Sequence, residues 1–167
     1  MAADAPQSYP RAQAALHWLV AALVAGQYAT SGAITRSHAT HLIGQRPDPG
    51  DLFLHAWHNR AGLAVVALTL ARLALRLWAG APAPLGPPAS AAARLARFVH
   101  AAFYAVLIFE GAAGAVASYV WWPASVAHVL AFKALLALLA VHVAAALWHL
   151  GGSWRGMDFA KRRRVGI

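Results

Sequence analysis

Residues 124–150 read ASVAHVLAFKALLALLAVHVAAALWHL. This run is long and apolar enough to cross about 30 Å of hydrocarbon as a helix, and it holds His128 and His142 fourteen positions apart. At 100° and 1.5 Å per residue, that spacing is a net rotation of about 40° and a rise of about 21 Å. The two imidazoles therefore share one face, nearly four turns apart. A membrane helix with two polar side chains on one face needs neighbours that bury both, because an imidazole in lipid is costly and usually faces a bundle interior.

Working outward, the rest of the chain supplies those neighbours. Of 167 residues, 60 % are apolar and 11 % charged, well under the roughly 25 % of soluble domains. Further apolar stretches at 12–34, 54–78 and 95–118 give four expected spans, a single membrane domain over 1–167. Arg11 ahead of the first span resembles a signal-peptide start, but Gln27, Tyr28 and Thr30 interrupt the place for a small-x-small cleavage site, so the span is expected to stay. The connections are read as a polar loop (35–53), a Pro- and Ala-rich strap (79–93) and a bare turn (119–123). The bare turn makes spans three and four antiparallel neighbours. No internal repeat points to a transporter.

Fourteen Lys and Arg oppose five Asp and Glu. In so apolar a chain this excess fits membrane topology and anionic lipid better than nucleic acid, which is not expected as a partner. Arg11, Arg72, Arg76, Arg94, Arg97, Arg155 and the tail Lys161, Arg162, Arg163, Arg164 fall on one side of the four-span arrangement, and Arg36, Arg46 and Arg60 on the other. Both termini are thus expected in the cytoplasm, the chain being a multi-pass membrane protein. With no cysteine, disulfides, iron–sulfur clusters and thiolate chemistry are excluded. No paired carboxylates, nucleophile triad or phosphate loop suggests another chemistry.

The nine histidines carry the functional reading. His17 and His142 lie at one depth near the cytoplasmic end, and His58 and His128 at another near the outer end. Two imidazole pairs at matched depths are the arrangement expected of two bis-histidine b haems stacked across a bilayer. The competing reading is that each histidine packs and hydrogen-bonds, since a lone intramembrane histidine is more often structural than a ligand. Gly62 and Ala144–Ala146 are expected to make room for a ring. His55 competes with His58, one turn nearer water. His38, His41 and His55 would be loop histidines or an outer metal site. His100 and His149 would be interfacial, or face haem propionates or a quinone. Glu110 and Lys133, at similar depths in spans three and four, are expected to pair.

Several runs resemble the bacterial cytochrome b561 family: Tyr9-Pro-Arg11 leading to Leu16-His17-Trp18, His58-x-x-x-Gly62, Leu70-Ala-Arg72-Leu-Ala-Leu-Arg76-Leu77, His100-x-x-x-Tyr104 with Gly114, and His128 with His142 and His149. Their joint order covers nearly all four spans. The resemblance implies an all-α, antiparallel four-helix bundle with two haem b groups, the inner at the positions of His17 and His142, the outer at those of His58 and His128. It implies membrane electron transfer, either superoxide or another periplasmic donor to ubiquinone, as in a superoxide:ubiquinone oxidoreductase, or a haem-bearing anchor subunit between a periplasmic redox protein and the quinone pool. Arg11 matches the family's opening motif and is the expected contact of an inner propionate, and Arg60 is the candidate near the outer haem. The chain departs from the family at Gly111, where proline is usual, and in its short third connection.

Overall fold

A computed structural model describes residues 11–80 and 89–162, with side chains up to Trp148. Among the described residues there are four helices, α1 (Arg11–Leu42), α2 (Pro49–Ala79), α3 (Ala91–Tyr119) and α4 (Ser125–Arg162), and no strand. The molecule is an all-α membrane bundle. By length and hydropathy α2, α3 and the stretch Trp122–Trp148 suffice to cross a membrane. Gln13, His17, Gln27, Thr30 and Ser31 make α1 more polar than these. It still runs the length of α2, touching it at three levels through Arg72 to His17, Gln27 to His58, and Arg36 to Asp51.

Four boundaries differ from the expected ones by several residues: the end of α1, the starts of α2 and α3, and the end of α4, which runs on from 150 to Arg162. Residues 35–42 continue α1, and α2 opens at Pro49, so the expected loop of 35–53 shrinks to 43–48. Polar composition misled here, because the hydroxyls fold back on their own helix: Ser37 Oγ donates to the Ile34 carbonyl and Thr40 Oγ1 to that of Arg36. Gly44, at φ 72°, closes α1, with Gly44 N donating to the His41 carbonyl and Gln45 N to that of Thr40. Asp48 then caps α2, accepting from Gly50 N at 2.7 Å, with Pro49 in the first turn. Ser90 caps α3 in the same manner, accepting from Ala93 N at 3.2 Å. The second strap falls largely on residues 81–88, outside the described part. Its far end is already helical from Ala91, and the third connection holds one 3-10 turn, Trp122–Ala124.

Each helix contributes one residue to the buried centre, Val20, Val65, Leu107 and Leu135. Glycines set the close approaches. A Cβ on Gly26 would lie 2.5 Å from Trp57, and one on Gly111 would lie 2.1 Å from Val66. This explains why Gly111 stands at the interface of α2 and α3. Packing proceeds α1 on α2, α2 on α3, α3 on α4. Among the described residues no Cα of α1 comes within 8 Å of one of α4. Only long side chains bridge that gap, Tyr28 stacking on Phe132 at 5.9 Å.

Candidate functional site

Two pairs of imidazoles face one another across the open side of the bundle. His58 on α2 and His128 on α4 have ring centroids 6.3 Å apart with planes at 81°. His17 on α1 and His142 on α4 also lie 6.3 Å apart, at 68°. A ring nitrogen binds a metal at about 2 Å and lies about 1.1 Å from its ring centre, so imidazoles on opposite sides of one ion sit about 6.2 Å apart. Both pairs have the separation that a shared axial ion requires.

The outer pair is held by partners that fix its protons. His128 Nδ1 lies 2.9 Å from the Glu110 carbonyl, which can only accept, so the proton is on Nδ1 and Nε2 keeps its lone pair. His58 Nδ1 lies 3.2 Å from Thr30 Oγ1, whose own hydrogen goes to the Gly26 carbonyl at 2.8 Å. The Thr30 hydroxyl is thus placed to accept from His58 Nδ1 in the tautomer that leaves Nε2 free. Such second partners orient a ligating imidazole and raise its basicity. Gln27 Nε2 donates to the His58 carbonyl at 2.9 Å, tying α1 to α2 at this level. Gly114 leaves room for the ring, since a Cβ there would lie 3.0 Å from His128 Nδ1.

The inner pair opens on a cavity of about 420 Å3 in the gap between α1 and α4, within the roughly 300–1,000 Å3 of cofactor clefts. Its walls are mostly apolar, among them Val20, Val24, Leu135 and Leu139, with Ala21 and Ala25 widening the α1 side. His17, His142, His100, Arg72 and Arg76 also line it. Two polar atoms in this wall, Arg72 Nε and Thr69 Oγ1, are buried without a hydrogen-bond partner. An apolar slot with facing imidazoles and an unmatched guanidinium edge suits a flat, largely apolar group that carries carboxylates.

The remaining expected residues divide. His55 does not face His128. Its ring lies 5.1 Å from that of His38, and its Nδ1 lies 2.9 Å from Ser37 Oγ. His38 also packs on Trp122 at 4.4 Å. His41 is exposed, and no cluster of three metal-ligating side chains exists among the described residues. Arg11 and Arg60 are exposed, and neither lines the inner cavity. The side chain of His149 lies outside the described part. His100 was expected at an interface but stands in the cavity wall, its ring 5.8 Å from that of His142.

Two packing expectations are corrected. Ala144–Ala146 are exposed, and Gly62 faces the Gln27 amide, so ring space comes from Gly114, Ala21 and Ala25 instead. Glu110 and Lys133 form no ion pair. The ion pair found among the described residues is Arg36 with Asp51. Lys133 follows His128 by five residues, about 140° around α4, and so is exposed away from the bundle face. Depth was matched, but helical phase was not. Arg72 and Arg76, read from sequence as topology charges and as part of a family-like run, were given no place in the site, yet both line the cavity; their four-residue spacing on α2 places both on one face, a usable signal.

Comparison with known proteins gives the family and its cofactor. Residues 8–158 match the family described as prokaryotic cytochrome b561. The chain belongs to that family. It is 32 % identical over 146 residues, 84 % of this chain and 86 % of the relative, to a protein of Cereibacter sphaeroides named cytochrome b562. No solved structure matches. A cytochrome b561 is a haem b protein of the bacterial membrane, and membership makes haem-based transmembrane electron transfer the activity of this bundle. The buried donor set fits that cofactor.

Proposed function

We propose that the chain carries single electrons across the inner membrane through two haem b groups, one held by His17 and His142 and one by His58 and His128. The observation that carries this reading is the 6.3 Å separation of both imidazole pairs, with a rise of about 21 Å between the levels on α4. Haem iron supplies the one-electron couple, and the protein supplies ligation, burial and access. His128 presents its Nε2 lone pair because its Nδ1–H donates to the Glu110 carbonyl, and the Thr30 hydroxyl favours the same tautomer of His58. The apolar walls around His17 and His142 exclude water, which favours the less charged state of a buried redox group.

The donor is superoxide or another reductant at the outer, periplasmic face, and the acceptor is ubiquinone. Arg46 and Arg60 near the outer end support attraction of an anion. Arg36 contributes less, since its Nε donates to both carboxylate oxygens of Asp51 at 3.1 and 3.0 Å. The clustering of Lys and Arg near both termini supports a cytoplasmic placement for them. Exposed Tyr119, Val120 and Trp121 at the outer end favour a second reading, a haem-bearing anchor on which a periplasmic redox subunit docks.

The test is ubiquinol formation by the purified, haem-loaded protein supplied with a steady superoxide source. Superoxide consumption that rises with ubiquinone supports the self-sufficient enzyme. Reduction only after a stoichiometric periplasmic partner is added selects the anchor, and superoxide loss indifferent to ubiquinone removes the first reading.

A further inference from the structure

The outer end of the bundle holds two histidines that the haem reading does not use. His38 on α1 and His55 on α2 are half-buried and line one cavity of about 490 Å3, together with Ile34, Ser118 and Trp122. Their ring centroids lie 5.1 Å apart with planes at 52°. That is shorter than the 6.3 Å of the two pairs assigned to haem, and the difference changes the geometry that a shared ion would have. An ion about 2.0 Å from a ring nitrogen lies about 3.1 Å from the ring centre, so two centres 5.1 Å apart subtend about 110° at one ion between them. This is the angle between neighbouring ligands of a tetrahedron, whereas the haem pairs sit on opposite sides of their ion.

The surroundings of the two rings suit such an ion. Ser37 is 4 % exposed, and its Oγ lies 2.9 Å from His55 Nδ1, holding that ring at one nitrogen and leaving Nε2 as the atom for a metal. His38 packs on the Trp122 ring at 4.4 Å, which fixes it from the side of the 3-10 turn. Among the described residues no carboxylate lines the cavity, so the two remaining positions of a tetrahedron fall to water, for which there is room. Mg2+ and Ca2+ prefer oxygen ligands and gain little from two imidazoles, whereas zinc takes them readily. We propose that His38 and His55 bind one zinc ion at the outer end of the bundle, clipping α1 to α2, with water completing a tetrahedral shell. His41, one turn further along α1, is exposed and outside the cavity lining, and it takes no part.

The test uses the haem-loaded full chain without a histidine tag, so that the haem pairs are filled and only other histidines can take the ion. Zinc bound per chain is counted by equilibrium dialysis, and X-ray absorption at the zinc edge reads its ligands. Wild type is expected to bind about one zinc through two imidazole nitrogens at about 2.0–2.1 Å, undisturbed by a roughly hundredfold excess of Mg2+. His38→Ala and His55→Gln should each weaken zinc binding about tenfold or more with haem content unchanged, and His41→Ala should leave it as it is. Zinc should also raise the melting temperature of wild type but not of His38→Ala. Equal zinc affinity in wild type and in the variant carrying both changes would overturn the proposal and leave two packed histidines. Zinc taken up only by haem-free protein would overturn it too, placing the ion in the haem pairs. Should His55→Gln fail to fold, His38→Ala and the wild-type absorption spectrum still decide.

Discussion

Thr30 Oγ1 stands 3.2 Å from His58 Nδ1, with its own hydrogen in reach of the Gly26 carbonyl at 2.8 Å and the Gln27 carbonyl at 3.3 Å. A hydroxyl held in this way favours the His58 tautomer that carries its proton on Nδ1 and leaves Nε2 free. Thr30→Val keeps shape and removes the acceptor. Loss of such a partner typically costs about 10–100-fold in metal affinity. Thr30→Val is expected to loosen one haem of two and shift its potential, with Thr30→Ser restoring both. Redox titration of the haems reads this directly, and two unchanged midpoints would show that Thr30 only packs.

Gly111 is expected to tolerate no side chain. A Cβ there would lie 2.1 Å from Val66 on α2, so Gly111→Ala must push the two helices apart or displace Val66, at about 1–3 kcal/mol as in other overpacked cores. Thermal melting in detergent should fall for Gly111→Ala and partly recover in Gly111→Ala with Val66→Ala. A single variant as stable as wild type would refute the contact.

Glu110 and Lys133 are expected to behave independently. They form no ion pair, and Lys133 points off the face that holds His128. Glu110→Gln and Lys133→Gln should change stability additively within about 0.5 kcal/mol in a double-mutant cycle. Rescue of one change by the other would restore the pairing that depth alone suggested.

How much of this was legible in the sequence depended on which physical signal each residue leaves. Apolar length marks the helices, and the 14-residue spacing of His128 and His142 places both on one face, so the sequence pattern alone points to the two imidazole pairs. Residues 35–42 were misread because Ser37 and Thr40 look like loop residues until their hydroxyls are seen to bond back to the helix. Lys133 was misplaced because depth was counted without rotation. Arg72 left the wrong impression, a topology charge, since only packing shows that it reaches past its own helix to His17. His55 and His58 differ by one turn, and it took the bundle geometry to turn one toward His38 and the other toward His128.

His100 deserves its own control because its ring is 5.8 Å from that of His142, closer than that of His17. Its ring also meets the Ala96 backbone carbonyl one turn back, a local hold suited to a wall residue. His100→Ala is expected to keep both haems with a shifted spectrum or potential for one. Complete loss of one haem in His100→Ala, with retention in His17→Ala, would move the inner ligand from α1 to α3.

On the proposed reading, α4 lends one imidazole to each of two haems. The direct measurement is protohaem per chain, with a reduced-minus-oxidised spectrum, for wild type, His128→Ala, His142→Ala and the double variant, all made with ample haem. About two, one, one and none are expected, the two single variants losing different spectral components. Equal haem in wild type and the double variant, or loss of both haems together in each single variant despite an intact fold, would contradict it.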